Sequence, residues 1–161
     1  MRKSVLLIAI GAGIVASTLV SAISPEAYAH CQVPCGIYGD YSRITAMLED
    51  TTTIAKAINQ INELSGKNEA QSFNQATRWV NTKESHAQQI QDTIAQYFLA
   101  QRVKAAAAGS DAYDDYLKKL AEHHAVIVAA MKAKQTVDPK AADTLRAAIK
   151  TISAYYPEHK H

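Results

Sequence analysis

The sequence predicts an all-α protein, an antiparallel four-helix bundle preceded by a short cysteine-bearing N-terminal segment. Three observations predict it. Four stretches repeat apolar residues at intervals of three and four, the spacing that lays a stripe along one side of a helix. Each stretch is bounded by glycine, proline or a capping residue. Strict alternation, the mark of a half-buried strand, appears nowhere. With 161 residues, 48% of them hydrophobic and 20% charged, the chain has material for one sizeable core and not two.

The first element is one to be removed. Met1-Arg2-Lys3 gives a charged start, and an apolar run from Val5 to Val20 is interrupted only by Gly11, Gly13, Ser17 and Thr18. Ser24-Pro25-Glu26 then ends the run, and Ala27-Tyr28-Ala29 sets small residues at the two positions a signal peptidase reads. Residues 1–29 are therefore expected to be a signal peptide, cut before His30. The run approaches the ~20 residues that span a bilayer, so an uncleaved anchor is the competing reading. It is the weaker one, because Ala-x-Ala stands at the composition break. His30 also occupies the place before Cys31 where a lipid-attachment signal needs a small residue. The mature chain is expected to be periplasmic, extracellular or lumenal, with no membrane association after signal peptidase has acted.

Residues 30–40 form the cysteine-bearing segment, and residues 41–161 the expected bundle. From Asp40 to Ser65 the stripe is Ile44, Leu48, Thr51, Ile54, Ala55, Ile58, Ile61 and Leu64, stopped by Gly66. A second runs from about Glu69 to Ala108 through Phe73, Ala76, Val80, Ala87, Ile90, Ile94, Tyr97 and Phe98, with Lys83 a misfit and Gly109 the stop. Ser110-Asp111 caps a third, carrying Tyr113, Leu117, Leu120, His124, Ile127, Val128 and Met131 to about Lys134. Asp138-Pro139 offers a cap followed by proline at the first helical position. The fourth stripe, Ala142, Leu145, Ala148, Ile149, Ile152 and Tyr156, ends at Pro157.

Charge excludes one class of partner. There are 17 basic and 15 acidic residues, evenly scattered, and the net charge is +2, too mild for an electrostatic nucleic-acid footprint. Bundles carry many unrelated functions, so chemistry must come from a site. No phosphate loop, nucleophile elbow or paired Glu-x-x-His is present.

The site candidate is His30-Cys31-Gln32-Val33-Pro34-Cys35-Gly36-Ile37-Tyr38-Gly39-Asp40, which holds both cysteines of the chain. Once His30 is the first residue, its α-amine, the Cys31 backbone nitrogen and the Cys31 thiolate can close two adjacent five-membered chelate rings on one metal. Cys35 returns across the Pro34 turn as a fourth ligand. One amine, one amidate and two thiolates make a square-planar set, which points to Ni(II) or Cu(II) rather than tetrahedral zinc. The His30 imidazole reaches an axial position. Such electron-releasing donors make a one-electron redox site.

The segment resembles the nickel hook of nickel-containing superoxide dismutases, whose mature chains begin His-Cys-x-x-Pro-Cys-Gly-x-Tyr. His30, Cys31, Pro34, Cys35, Gly36 and Tyr38 match every defined position, and the pattern starts at the expected cut. The resemblance implies a homohexamer of four-helix bundles with one nickel ion per subunit, converting superoxide to dioxygen and hydrogen peroxide by Ni(II)/Ni(III) cycling. It implies that the amine of His30, the amide nitrogen and thiolate of Cys31 and the thiolate of Cys35 hold nickel, with the His30 imidazole axial in Ni(III). Tyr38 matches the hook tyrosine beside the open axial face, and Tyr97 resembles a second family tyrosine near the site. Gln32 departs from the Asp of well-known members. The family's acid and arginine that steady the imidazole are placed by no motif; Glu49, Asp50 and His86 are candidates by location alone.

The competing function is an exported, non-catalytic metal-binding or structural bundle with a Cys31–Cys35 disulfide, the usual fate of such a pair outside the cell. The other polar aromatics have structural readings. His123 and His124 fall mid-helix, one at the core edge and one solvated, and His86 is a surface or interface residue. Tyr113, Tyr116, Tyr155 and Tyr156 are packing residues, and Trp79 is a core residue.

Overall fold

A computed structural model describes residues 39–158. Residues 1–29, read as a signal peptide, the expected hook residues His30, Cys31, Cys35 and Tyr38, and residues 159–161 lie outside the described residues. Helices α1 (Asp40–Leu64), α2 (Ala70–Asp92), α3 (Tyr113–Lys134) and α4 (Lys140–Ser153) follow in order, and α2 runs on into a π-helical segment, Thr93–Arg102. Among the described residues there is no strand. Each helix packs on its neighbour in sequence and α4 closes back on α1. Asp40 in the first turn of α1 meets Tyr97 and Arg102 at the far end of the second helix, and Asn62 in the last turn of α1 donates to the Val137 carbonyl before α4 (2.9 Å). Those contacts make the arrangement antiparallel, as short connections between amphipathic helices favour.

The core is built from the stripes of α1, the second helix and α4 turned inward, whereas α3 buries His123, Val126, Ala129, Ala130 and Ala133 and leaves Leu117, His124 and Met131 of its expected stripe exposed, because the small alanine face lets it pack closest. Ile44, Met47, Ile54 and Ile58 of α1 face Ala87, Ile90, Ile94 and Phe98 of the second helix, with Val126, Ala130 and Ala133 of α3 and Leu145, Ile149 and Ile152 of α4 closing the ring. The alanines of α3 let its backbone approach while branched side chains opposite fill the space. Asp138 accepts from the Lys140 amide (3.0 Å), and Pro139 enters with helical φ −56°, the cap and first-turn proline expected for α4. Gly109 has φ +80°, a conformation that favours glycine, in the turn before α3.

Three further features depart from the simple stripes. Lys83, the misfit, is buried, and its Nζ donates to the Ala133 carbonyl (3.0 Å), to the Lys134 carbonyl and to Glu84 (3.1 Å). Its ammonium thus satisfies carbonyls that the C-terminus of α3 leaves unpaired and sits at the negative end of that helix. Phe73, placed on the second stripe, is 76% exposed, and Trp79 is half-buried with the Lys56 ammonium 5.7 Å from its ring centre. The early turns of α2 carry the apolar spacing, yet both Phe73 and Val80 stay exposed there. The second helix ends at Arg102 rather than near Ala108, because Val103 turns extended (φ −80°, ψ 104°) and buries its side chain.

His123 is completely buried. Its Nδ1 lies 2.7 Å from the Lys119 carbonyl, which can only accept, so Nδ1 carries the hydrogen and Nε2 accepts from the Tyr156 hydroxyl (2.9 Å). Burial, the largest cause, lowers the His123 pKa below its ordinary value. Folding therefore favours the neutral ring. That contribution is whole above the unfolded value of about 6.5 and declines as pH falls from there toward the lowered folded value. Urea midpoints measured from pH 7.5 down to 5 should fall in this window, and the fall should flatten in a His123→Gln variant.

Candidate metal centre

His30, Cys31 and Cys35, the expected ligands, and Tyr38 beside them lie outside the described residues, and what the structure describes is the platform to which they are joined. Among the described residues, no group of three or more His, Cys, Asp or Glu side chains is gathered so as to hold a metal ion. The donors expected of the hook once residues 1–29 are removed, an amine, a backbone amide and two thiols, would suit a square-planar Ni(II) or Cu(II) ion by their chemistry.

The platform begins at Gly39, extended at φ −71°, ψ 138°, which hands the chain to α1. Asp40, the last residue of the segment read as the hook, is already the first of the helix, where a carboxylate meets the positive end of the helix dipole. One carboxylate oxygen accepts from the Tyr97 hydroxyl at 2.7 Å, and the other from the Arg102 guanidinium. The Arg43 guanidinium lies 5.7 Å from the centre of the Tyr97 ring. Burial first, and then the bond to Asp40, raise the Tyr97 pKa, so its phenol keeps its proton throughout the physiological range.

Two concavities flank this cluster. One, of about 480 Å³, runs between the start of α1 and the second helix and is lined by Arg43, Gln89, Asp92, Thr93, Gln96 and Tyr97. The other, of about 410 Å³, opens at the same end of the bundle among Asp40, Arg102, Tyr116, Lys119, Tyr155 and Tyr156. Tyr156, one of its lining residues, belongs to an aromatic cluster: Phe98 lies 4.5 Å from Tyr156 and 5.2 Å from Tyr97, ring centre to ring centre. Tyr155 donates to Glu122 (2.6 Å), and this bond pushes its pKa up to about 12. Tyr156 is raised too, chiefly by burial. Tyr155 and Tyr156, assigned from the sequence to packing, are neutral hydrogen-bond donors in a shielded setting.

Of the three residues considered as partners for the His30 imidazole, the structure joins two. His86 Nδ1 on α2 and Asp50 Oδ1 on α1 are 2.6 Å apart, with Asp50 buried and His86 half-buried, while Glu49 is exposed. Sequence reasoning missed Asp40, Arg43 and Arg102. Only Asp40 left a signal, as the acidic residue opening the first stripe.

A family model described as nickel-containing superoxide dismutase matches residues 25–160, and no curated protein or solved structure matches the chain. The match takes in the hook pattern from His30 to Tyr38 and all four helices of the bundle. On that match the chain belongs to the nickel-containing superoxide dismutase family and is an oxidoreductase with a nickel cofactor.

Proposed function

We propose that superoxide is disproportionated at the hook of the mature chain, where the His30 amine, the Cys31 amide nitrogen and the Cys31 and Cys35 thiolates would hold one nickel ion, with the His30 imidazole as a further donor. Nickel so bound would supply a one-electron couple, Ni(II)/Ni(III), suited to disproportionation of superoxide. The observation carrying the reading is the fit of the donor pattern to the start of the mature chain: His30 stands at the expected cut, and Cys31, Pro34, Cys35, Gly36 and Tyr38 follow in the family's spacing.

The chain's own residues have distinct tasks. The Cys31 and Cys35 thiolates and the Cys31 amidate would hold the metal and release electron density to it, and the His30 imidazole would stabilise its higher oxidation state. Two superoxide anions need two protons to leave as dioxygen and hydrogen peroxide. The Tyr38 hydroxyl orders the approach path beside the open face, and Tyr97, kept protonated by burial and by Asp40, is a second hydroxyl at that end of the bundle. Residues 1–29 direct export and are removed by signal peptidase, and the mature subunits assemble as a homohexamer in a periplasm, lumen or exterior.

Two substitutions test the assignment. His30→Gln should keep the planar nickel and lose most turnover, because the terminal amine survives and only the axial donor goes. Tyr38→Phe should keep nickel and fold while changing turnover or its sensitivity to peroxide and small anions. Nickel analysis beside pulse-radiolysis rates checks both. An unchanged rate in His30→Gln would remove the imidazole from the reaction, and loss of nickel in Tyr38→Phe would make Tyr38 structural.

A further inference from the structure

We propose that Asp40, gripped by Tyr97 and Arg102 of the π-helical segment, is a positioning residue that fixes the point from which the hook leaves the bundle. The inference rests on the hook being the nickel site, and it concerns how the bundle holds that site rather than which atoms bind the metal.

The grip is specific. Tyr97 donates to one oxygen of the Asp40 carboxylate at 2.7 Å and the Arg102 guanidinium donates to the other, leaving the carboxylate side chain only 16% exposed. A charge-assisted pair and a phenol on one carboxylate hold it more tightly than a solvated first-turn acid needs to be held for the sake of the helix dipole.

The winding of the second helix makes the grip possible. Tyr97 and Arg102 are five residues apart. On an α-helix that spacing puts two side chains about 140° apart, so one carboxylate could not take both. In the π-helical segment the backbone bonds run five residues back, as the Val103 amide does to the Phe98 carbonyl (2.9 Å), and residues five apart come to lie one above the other. Thr93–Arg102 contains neither glycine nor proline that would disturb an α-helix. Such winding is rare and tends to occur where a protein needs side chains re-aimed. Here the aim is Asp40.

Asp40 stands two residues after Tyr38 and five after Cys35. Five residues of chain reach at most about 18 Å, so the carboxylate stands within that distance of Cys35, the nearer proposed thiolate ligand. The apolar core does not use it. Releasing Asp40 should free about one residue of backbone at the root of the hook, which corresponds to roughly a ten-fold weaker hold.

The experiment uses mature, nickel-loaded protein and follows the rate at which nickel passes to excess chelator. Asp40→Ala should keep one nickel per chain, the thiolate-to-nickel absorption and the helical circular dichroism, yet lose nickel about ten-fold faster than the parent. Asp40→Asn, which keeps an acceptor for Tyr97, should fall between the two, and Arg102→Gln should behave like Asp40→Asn. Asp40→Ala combined with Arg102→Gln should be no faster than Asp40→Ala alone, since both break one grip. Lys83→Met, which loosens the opposite end of the bundle, should lower the melting temperature and leave the rate alone. Parent-like rates in Asp40→Ala and Asp40→Asn overturn the proposal, and so does an equal acceleration in Lys83→Met. Cys31→Ser and Cys35→Ser run alongside: if they retain nickel, the hook reading fails, whereas if they lose it and the Asp40 variants do not respond, the grip alone fails.

Discussion

Replacing Cys31 or Cys35 by serine is expected to abolish nickel binding and to reduce superoxide consumption by at least about 100-fold, while the helical signal and melting temperature stay near those of the parent. The first half follows from donor chemistry: a serine hydroxyl is not deprotonated at neutral pH and cannot replace a soft thiolate on Ni(II). The second follows from the fold. The described core is assembled from α1, the second helix, α3 and α4 with no cysteine in it, and substitutions away from a core usually change stability by no more than about 0.5 kcal/mol. Metal-free parent protein is expected to close a Cys31–Cys35 disulfide in an oxidising compartment, lighter by two hydrogens on intact-mass analysis. A serine variant with full activity would remove that thiolate from the site.

Leaving a single extra residue ahead of His30, or blocking cleavage with a bulky residue in place of Ala29, should have an effect as large. An α-amine has a pKa of about 7.7–8.0 and a lone pair to offer a metal near neutrality. The same nitrogen inside a peptide bond is planar and delocalised, so the first chelate ring is lost. Precursor and extended forms should carry little nickel and show background activity, with intact-mass analysis identifying each species. An uncut precursor that is fully loaded and active would exclude the amine and favour an anchored metal-binding protein. Because the metal can bind this way only after proteolysis, the redox centre would form only once the signal segment is gone.

What could be read from the sequence divides along a physical line. The proposed chelate is local: an amine, the next amide and the next thiolate would be neighbours along the chain, so the His30-Cys31 pair and the Pro34-Cys35 return suggest a metal site without any knowledge of the fold. The stripes of Ile44, Ile54, Ile58, Ile90, Leu145, Ile149 and Ile152 were legible because burial of one helix face imposes its own period. Periodicity says which face is apolar and not how many of its turns a partner reaches, hence the exposure of Phe73. Lys83 was visible only as a misfit, since its acceptors lie some fifty residues on in sequence. The Tyr97–Asp40–Arg102 grip was hidden for a different reason. Five-residue spacing puts two side chains on different faces of an α-helix, and no local residue announces the π-helical winding that reunites them.

The central claim is that nickel sits in a plane of two nitrogens and two sulfurs at the start of the mature chain. Nickel-edge X-ray absorption on mature, fully loaded protein tests it most directly, because sulfur and nitrogen scatterers are distinguished at the metal itself. The account predicts two sulfur and two nitrogen neighbours in the reduced protein, with one further nitrogen on oxidation. A nickel environment of nitrogen and oxygen without sulfur would contradict it.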